Sequence, residues 1–293
     1  MIRRGACGSG LVSEYYIGMA RKREVAAKKS YQEILRDQIR EGLQELKRPT
    51  LGLFVSALAA GLEVSFSVML MATMLAIVGD VLPGELSRIA VAMMYSLGYI
   101  FVILGRSELF TEHTTLAVLP VLNARASVES LARLWSVVWL GNITGATIFS
   151  GIVVFIGPRL GIYGPRELYA IGGELVHYPW WLIIMSGVLT GWMMGLLSWL
   201  VAASRDTMAQ ILLVLLVTFS IGLAGLHHSI LGTAEVLSAV WATDLVSGRE
   251  FLKFLLAATM GNAIGGAFFV AFMKYRHATA SSQQGVFGSL LNR

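Results

Sequence analysis

The strongest constraint in this chain is a set of six long apolar stretches, two of which are interrupted near their middles by clustered polar and ionisable residues. They fall over about residues 51–78, 89–122, 134–156, 180–204, 209–241 and 251–273. About 20 apolar residues suffice to carry a helix across the hydrocarbon core of a bilayer, so each stretch is a candidate span. The apolar residues run continuously rather than alternating, which argues against a membrane barrel. The sequence is 56% hydrophobic and only 14% charged, with a mean hydropathy of +0.68. Soluble domains sit near 45–50% and about 25% respectively. An all-α membrane protein is expected.

The second and fifth stretches are too long for one straight helix. In the second, "GRSELFTEHTTLAVLP" (105–120) places Arg106, Glu108, Glu112 and His113 between two apolar runs. The fifth carries "LAGLHHSILGTAEVL" (223–237), which can be laid over the first motif so that Thr111 falls opposite His228. "LGNITGA" (140–146) in the third stretch has a counterpart, "MGNAIGG" (260–266), in the sixth. The first and fourth share the looser "ALAAGL" and "SGVLTGW". Three segments per half invert the topology of the second half. The expected architecture is therefore an inverted 3+3 repeat with broken second and fifth helices. Irregular backbone at membrane depth is tolerated only where it lines a cavity or is buried in protein, and paired breaks mark a solute path near the midplane.

Charge gives the orientation. Of 23 Lys and Arg, 11 precede Pro49. With the N-terminus inside, 17 fall on the inner side and five on the outer, Arg106 lying within the second stretch. This predicts cytoplasmic termini. The basic bias is thus a membrane-anchoring signal rather than a nucleic-acid footprint. Tyr31, Ile34, Leu35, Ile39, Leu43 and Leu46 recur at helical spacing before Pro49, predicting an amphipathic helix on the inner surface, either a plain anchor or a cap over a pore. The domain division is 1–49, a basic region with this helix; 50–275, the transmembrane unit with halves at about 50–157 and 180–273; and 276–293, a tail expected to be disordered. The single Cys7 has no metal-ligand spacing around it; neither a metal nor another cofactor is expected, nor is a cleavable signal peptide.

"YSLGYIFVILGRSELFT" (95–111), "GNITGA", "GLHHSI" (225–230) and "GNAIGG" together resemble the formate/nitrite transporter family over nearly the whole membrane part. The resemblance implies an aquaporin-like fold of the formate/nitrite channel type, a homopentamer in the bacterial inner membrane, and one pore per protomer. It places the family's central histidine on His228 and its partner threonine on Thr111. The paired asparagines fall on Asn142 and Asn262. The inner constriction falls on Tyr95, Tyr99 and Leu109, and the outer one on Ile221. Three positions depart from the family pattern: Leu175 stands where a vestibule lysine is usual, with His177 nearest; His227 stands where an acid is usual; Arg106 stands where a small residue is usual. Tyr95 and Tyr99 also bring hydroxyls into a slit that is usually apolar. These departures bear on anion selectivity rather than on the fold.

Such a pore would carry small monovalent anions or their neutral weak acids together with protons. Taking a bare anion through a dry constriction costs several kcal/mol of solvation. Protonating a carboxylate of pKa near 4 at pH 7 costs about 4 kcal/mol, so protonation competes with carrying the charge. His228 is the expected aid to that protonation and Thr111 its orienting partner. Arg106, His227, Glu63 and Glu235 are the further electrostatic candidates, and Glu108 and Glu112 are expected to hold the loop. Each position also has an ordinary reading as a packing or hydrogen-bonding residue. A channel for small neutral solutes is the alternative function. An intramembrane serine protease would need a Gly-x-Ser-Gly turn, which "IMSGVL" does not provide.

Overall fold

The computed structural model describes residues 28–277. Cys7, most of the first basic cluster and nearly all of the predicted tail lie outside the described residues. Every regular element among those described is helical.

The first helix, α1 (Tyr31–Lys47), starts at a capping box in which Ser30 and Glu33 satisfy each other's backbone N–H groups. The chain then turns at Pro49 into α2 (Thr50–Val78), the first span. The apolar side of α1 is covered by protein: Ile34, Leu35 and Ile39 cluster with Leu119, Trp199 and Ala271. Gly42 has no room for a side chain against the Leu116 carbonyl and the Pro120 ring. The amphipathic helix is thus docked on the membrane unit rather than only laid on its surface.

The second apolar stretch is broken as expected. It forms α3 (Gly84–Gly105), an irregular turn, then the short α4 (Phe110–Leu116) and α5 (Val118–Leu122). The fifth forms α9 (Thr207–Ala224), a second turn, and α10 (Ser229–Ala242). The third and fourth stretches are single helices, α6 (Val128–Leu160) and α8 (Trp180–Ala203), separated by the short α7 (Pro165–Gly172) and a 3₁₀ turn (Glu174–Val176). The last span is α11 (Gly248–Ile264), running into a π-helical turn (Gly265–Phe272). Among the described residues, six helices are long and apolar enough to cross a membrane. The chain is a multi-pass membrane protein.

The halves match in detail. Helix α3 ends with Arg106 in the left-handed region (φ 57°), and α9 ends with Gly225 in the same conformation (φ 63°). In each case the next amide bonds back into the helix, Ser107 N to Val102 O and Leu226 N to Ile221 O, both at 3.1 Å. The Asn142 Oδ1 accepts from Phe110 N–H, and the Asn262 Oδ1 from Ser229 N–H, both at 2.8 Å. These pairs correct the register of the repeat. The N-cap of α4 is Leu109 and that of α10 is His228, so His228 is the structural counterpart of Leu109, and Thr111 lies two residues further along its own half-helix. Sequence similarity alone could not fix this, because the breaks share few residues.

Small residues let the spans close on each other. Gly145 of α6 lies against the Leu58 carbonyl of α2, and Gly265 against the Val188 carbonyl of α8, with no room for a Cβ at either.

Candidate functional site

Each asparagine holds a break open. Asn142 Nδ2 donates to Ala57 O (2.7 Å) and Glu108 O (2.8 Å); Asn262 Nδ2 donates to Gly187 O (2.9 Å) and His227 O (3.0 Å). With the amides each accepts, the side chain replaces the helical bonds the break has lost. Both asparagines are fully buried, and their bonds go to backbone.

The breaks bring Thr111 and His228 together from opposite halves, with Thr111 Oγ1 3.0 Å from His228 Nε2. His228 Nδ1 accepts from the backbone N–H groups of Ile230 and Leu231, each at 3.2 Å, and so caps α10. An acceptor nitrogen carries no proton. The neutral imidazole therefore has its hydrogen on Nε2 and donates toward Thr111. Histidine and threonine are both buried, at 1% and 0% exposure.

Two cavities flank this pair. One, of about 300 Å³, opens between α2, α3, α7 and the second break, and is lined by Arg88, Tyr95, Leu175, Gly222 and Glu235 among others. The other, about 530 Å³, opens on the side of α1 and is lined by Arg48, Arg106, Glu108, Glu112 and His113 among others; inner, for this cavity, and outer, for the first, denote position relative to α1 only. Along α3, Arg88, Val91 and Tyr95 face the first cavity and Ile103 the second. Tyr99 sits between them, and it is fully buried, as are Leu109 and Ile221. The middle is closed in this conformation.

This placement corrects one expectation. Tyr95 lines the cavity away from α1 and packs on Gly222, beside Ile221. It therefore groups with Ile221, on the side away from α1, rather than with Leu109. Tyr95 and Tyr99 hydroxyls lie 3.2 Å apart, and Tyr99 meets the His228 ring edge-on at 5.3 Å between centroids. The two hydroxyls form one polar thread through an otherwise apolar wall.

The electrostatic candidates separate. Arg106 is exposed to the inner cavity and makes no ion pair among the described residues, so it joins neither Glu63 nor Glu235. Glu63 approaches Gly105, and its Oε2 is a buried atom without a hydrogen-bond partner. Glu235 is 7% exposed and borders the outer cavity. His227 is tied at both ring nitrogens, Nδ1 to Ser186 Oγ at 2.8 Å and Nε2 to Leu175 O at 3.1 Å, which fits a packing role. Ser186 also accepts from the His227 backbone N–H at 3.1 Å. Its hydroxyl thus belongs to a structural knot. Glu108 binds both Arg48 and His113, linking the first break to the end of α1.

The basic residue beside the outer cavity is not the one the sequence pointed to. His177 is exposed, bonded to the Tyr169 hydroxyl at 3.3 Å, and does not border the cavity. Arg88 does border it, with its guanidinium donating to Leu223 O at 2.6 Å. Its spacing of two helical turns before Tyr95 was the available signal. His–Cys–carboxylate clusters able to hold a metal are absent among the described residues.

The family model described as formate/nitrite transporter matches residues 32–276. The chain is 31% identical over 240 residues to the inner membrane protein YfdC of Escherichia coli strain K12, covering 80% of this chain and 74% of that one. Among solved structures, an FNT family ion channel superposes with a TM-score of 0.75 at 19% identity, over 84% of this chain and 99% of that one. A pentameric formate channel with formate bound superposes with a TM-score of 0.65 at 21% identity, over 78% and 98%. The fold is that of these channels, and the relatives are transporters and channels rather than enzymes. With two broken spans, a shared Gly-Asn support in each half and a family match over most of its length, the chain belongs to the formate/nitrite transporter family.

Proposed function

We propose that this protein is a channel or proton-coupled transporter for small monovalent anions, or their neutral weak acids, of the formate and nitrite class. The pore runs through each protomer from the cavity at Arg88 and Glu235, past Tyr95, Tyr99, Ile221 and Leu109, to the cavity at Arg106. The assembly is a homopentamer in the bacterial inner membrane with both termini cytoplasmic, residues 50–275 forming the channel domain.

The observation that carries this reading is the meeting of Thr111 and His228 at 3.0 Å between two cavities. The fixed tautomer points an N–H at the closed middle. An anion arriving there accepts from His228 Nε2 and from the Thr111 hydroxyl, where low dielectric strengthens both bonds. The N-terminal end of α10 adds positive potential at the same spot.

Flux into liposomes carrying purified protein tests the proposal. Formate or nitrite entry that accelerates with an inward proton gradient is the expected result, and His228→Ala should reduce it at least tenfold with the oligomer intact. Unchanged flux and pH response in that variant would count decisively against the role of His228. One observation favours a second reading, a channel for small neutral solutes: the outer cavity carries the Glu235 carboxylate and Leu175 where a lysine is usual. Swelling by uncharged solutes, blind to the proton gradient, would select it.

A further inference from the structure

His228 is poorly placed to be the proton source. Its Nδ1 is occupied as an acceptor for two backbone amides. Giving up the Nε2 hydrogen would leave an imidazolate, and protonating Nδ1 first would break the cap of α10 and set a positive charge against the positive end of that helix. The histidine is built to donate a hydrogen bond and keep its proton. If a weak acid forms in this pore, its proton comes from another group.

Glu235 meets the requirements. It lies on α10 two turns after His228, borders the outer cavity and is 7% exposed, and its carboxyl group makes no hydrogen bond or ion pair among the described residues. Its carboxyl borders the cavity with no side-chain or backbone partner among the described residues, so it can take up and release a proton there. Across the same cavity stands Tyr95. Its hydroxyl is 3.2 Å from that of Tyr99, with either oxygen able to donate, and Tyr99 meets the edge of His228. The other charged group bordering the cavity is Arg88, whose guanidinium is engaged by Leu223 O. The remaining neighbours of Glu235 are uncharged there: α2 presents Met71, α7 presents Ala170, and the second break presents Leu226. Elsewhere along α10, Ser150 of α6 bonds Ala234 O, Phe254 of α11 covers Gly232, and Thr111 of α4 meets His228.

We infer that Glu235, Tyr95 and Tyr99 form a proton relay from the outer cavity to the solute held at His228 and Thr111. The inference rests on the transport reading above and names the proton source of that same site. The O–H bond of the Glu235 carboxyl breaks as its proton passes to the Tyr95 oxygen, directly or through one cavity water. Tyr95 passes its own proton to Tyr99, and Tyr99 passes its own to the anion. The solute becomes a neutral acid, Glu235 becomes a carboxylate, and water in the outer cavity reprotonates it. Each tyrosine ends with as many protons as it began. Glu235 and Tyr95 are positioning residues acting through Tyr99.

The test uses full-length protein in liposomes with a pH-sensitive dye inside and formate added outside, scanned against external pH, with protein-free liposomes as background. Glu235→Gln keeps size and polarity but carries no transferable acid proton; Tyr95→Phe removes one oxygen. Each should lower proton-linked formate entry about tenfold and flatten its pH profile, while Glu235→Asp restores both in part. Oligomer size and melting temperature, measured alongside, show whether a variant is folded. If Glu235→Gln fails to assemble, Tyr95→Phe and Tyr99→Phe decide alone. Wild-type protein that moves no anion would overturn the transport reading itself. Wild-type protein that moves formate with protons, beside tyrosine variants whose pH profile is unchanged, would overturn the relay and leave the transport reading standing.

Discussion

At the scale of single residues, the breaks depend on a few side chains in unusual positions. His228 both caps α10 and faces Thr111. Asparagine is also a strong N-cap, so His228→Asn should retain thermal stability to within about 1 kcal/mol while transport falls. His228→Ala should lose both, with a cap cost of roughly 1 kcal/mol. Thermal unfolding in detergent, set beside flux, separates the two roles. Arg106 is the second case. Its left-handed backbone (φ 57°) has glycine as its counterpart in the other half. A non-glycine residue there costs roughly 1–2 kcal/mol, so Arg106→Gly should raise stability by about 1 kcal/mol in a thermal melt. A lower melting temperature would show that the Arg106 side chain contributes more in the inner cavity than the strain costs.

At the scale of elements, what matters is how helices start and how closely they approach. Helix α1 begins at the Ser30–Glu33 box, with the Glu33 carboxylate accepting from Ser30 N–H at 2.6 Å and Ser30 Oγ accepting from Glu33 N–H at 3.2 Å. These bonds from the Ser30 backbone and side chain hold the Glu33 carboxyl below its ordinary value of 4.5. The sign follows: a depressed acid adds stability above its unfolded pKa and loses it as pH falls through the lower folded value. Amide exchange in the first turn of α1, taken relative to the intrinsic rate at each pH, should therefore speed up only below about pH 4. Ser30→Ala should speed it at neutral pH, at a cost of roughly 1 kcal/mol. Exchange insensitive to both would mean that docking against Trp199 and Leu119, rather than the cap, holds this end. Between spans the constraint is steric. Gly145 faces the α2 backbone with no space for a Cβ, and backbone yields less readily than a side-chain tip. Gly145→Val should therefore cost about 3 kcal/mol or more, the upper end for overpacking, read as loss of folded protein after detergent extraction.

At the scale of the whole molecule, large apolar side chains remain outside the folded protomer. Leu51, Ile77 and Leu160 are 75%, 64% and 66% exposed, and Leu212, Leu216, Phe155 and Trp180 are exposed as well. Lipid covers such a surface, and in the proposed pentamer neighbouring protomers cover part of it. Native mass spectrometry in mild detergent should give five copies. A monomer retaining flux would separate the pore from the assembly, which is consistent with a path lying inside one chain.

Much of this was legible from residue order, for reasons of solvent rather than shape. Apolar length set the number of spans, because backbone in hydrocarbon must satisfy itself. Ionisable groups at the middle of the second and fifth stretches marked the breaks, because charge at that depth has to face an interior. The recurrence of Gly-Asn in the third and sixth stretches pointed to the supports of those breaks. Tertiary structure decided the rest. Only the fold showed that His228 is the equivalent of Leu109, that Tyr95 belongs with Ile221, that Arg88 borders the outer cavity while His177 does not, and that two backbone amides fix which imidazole nitrogen carries the proton. Hydropathy is a property of neighbours along the chain, whereas a pore wall and a tautomer are set by groups that meet across it.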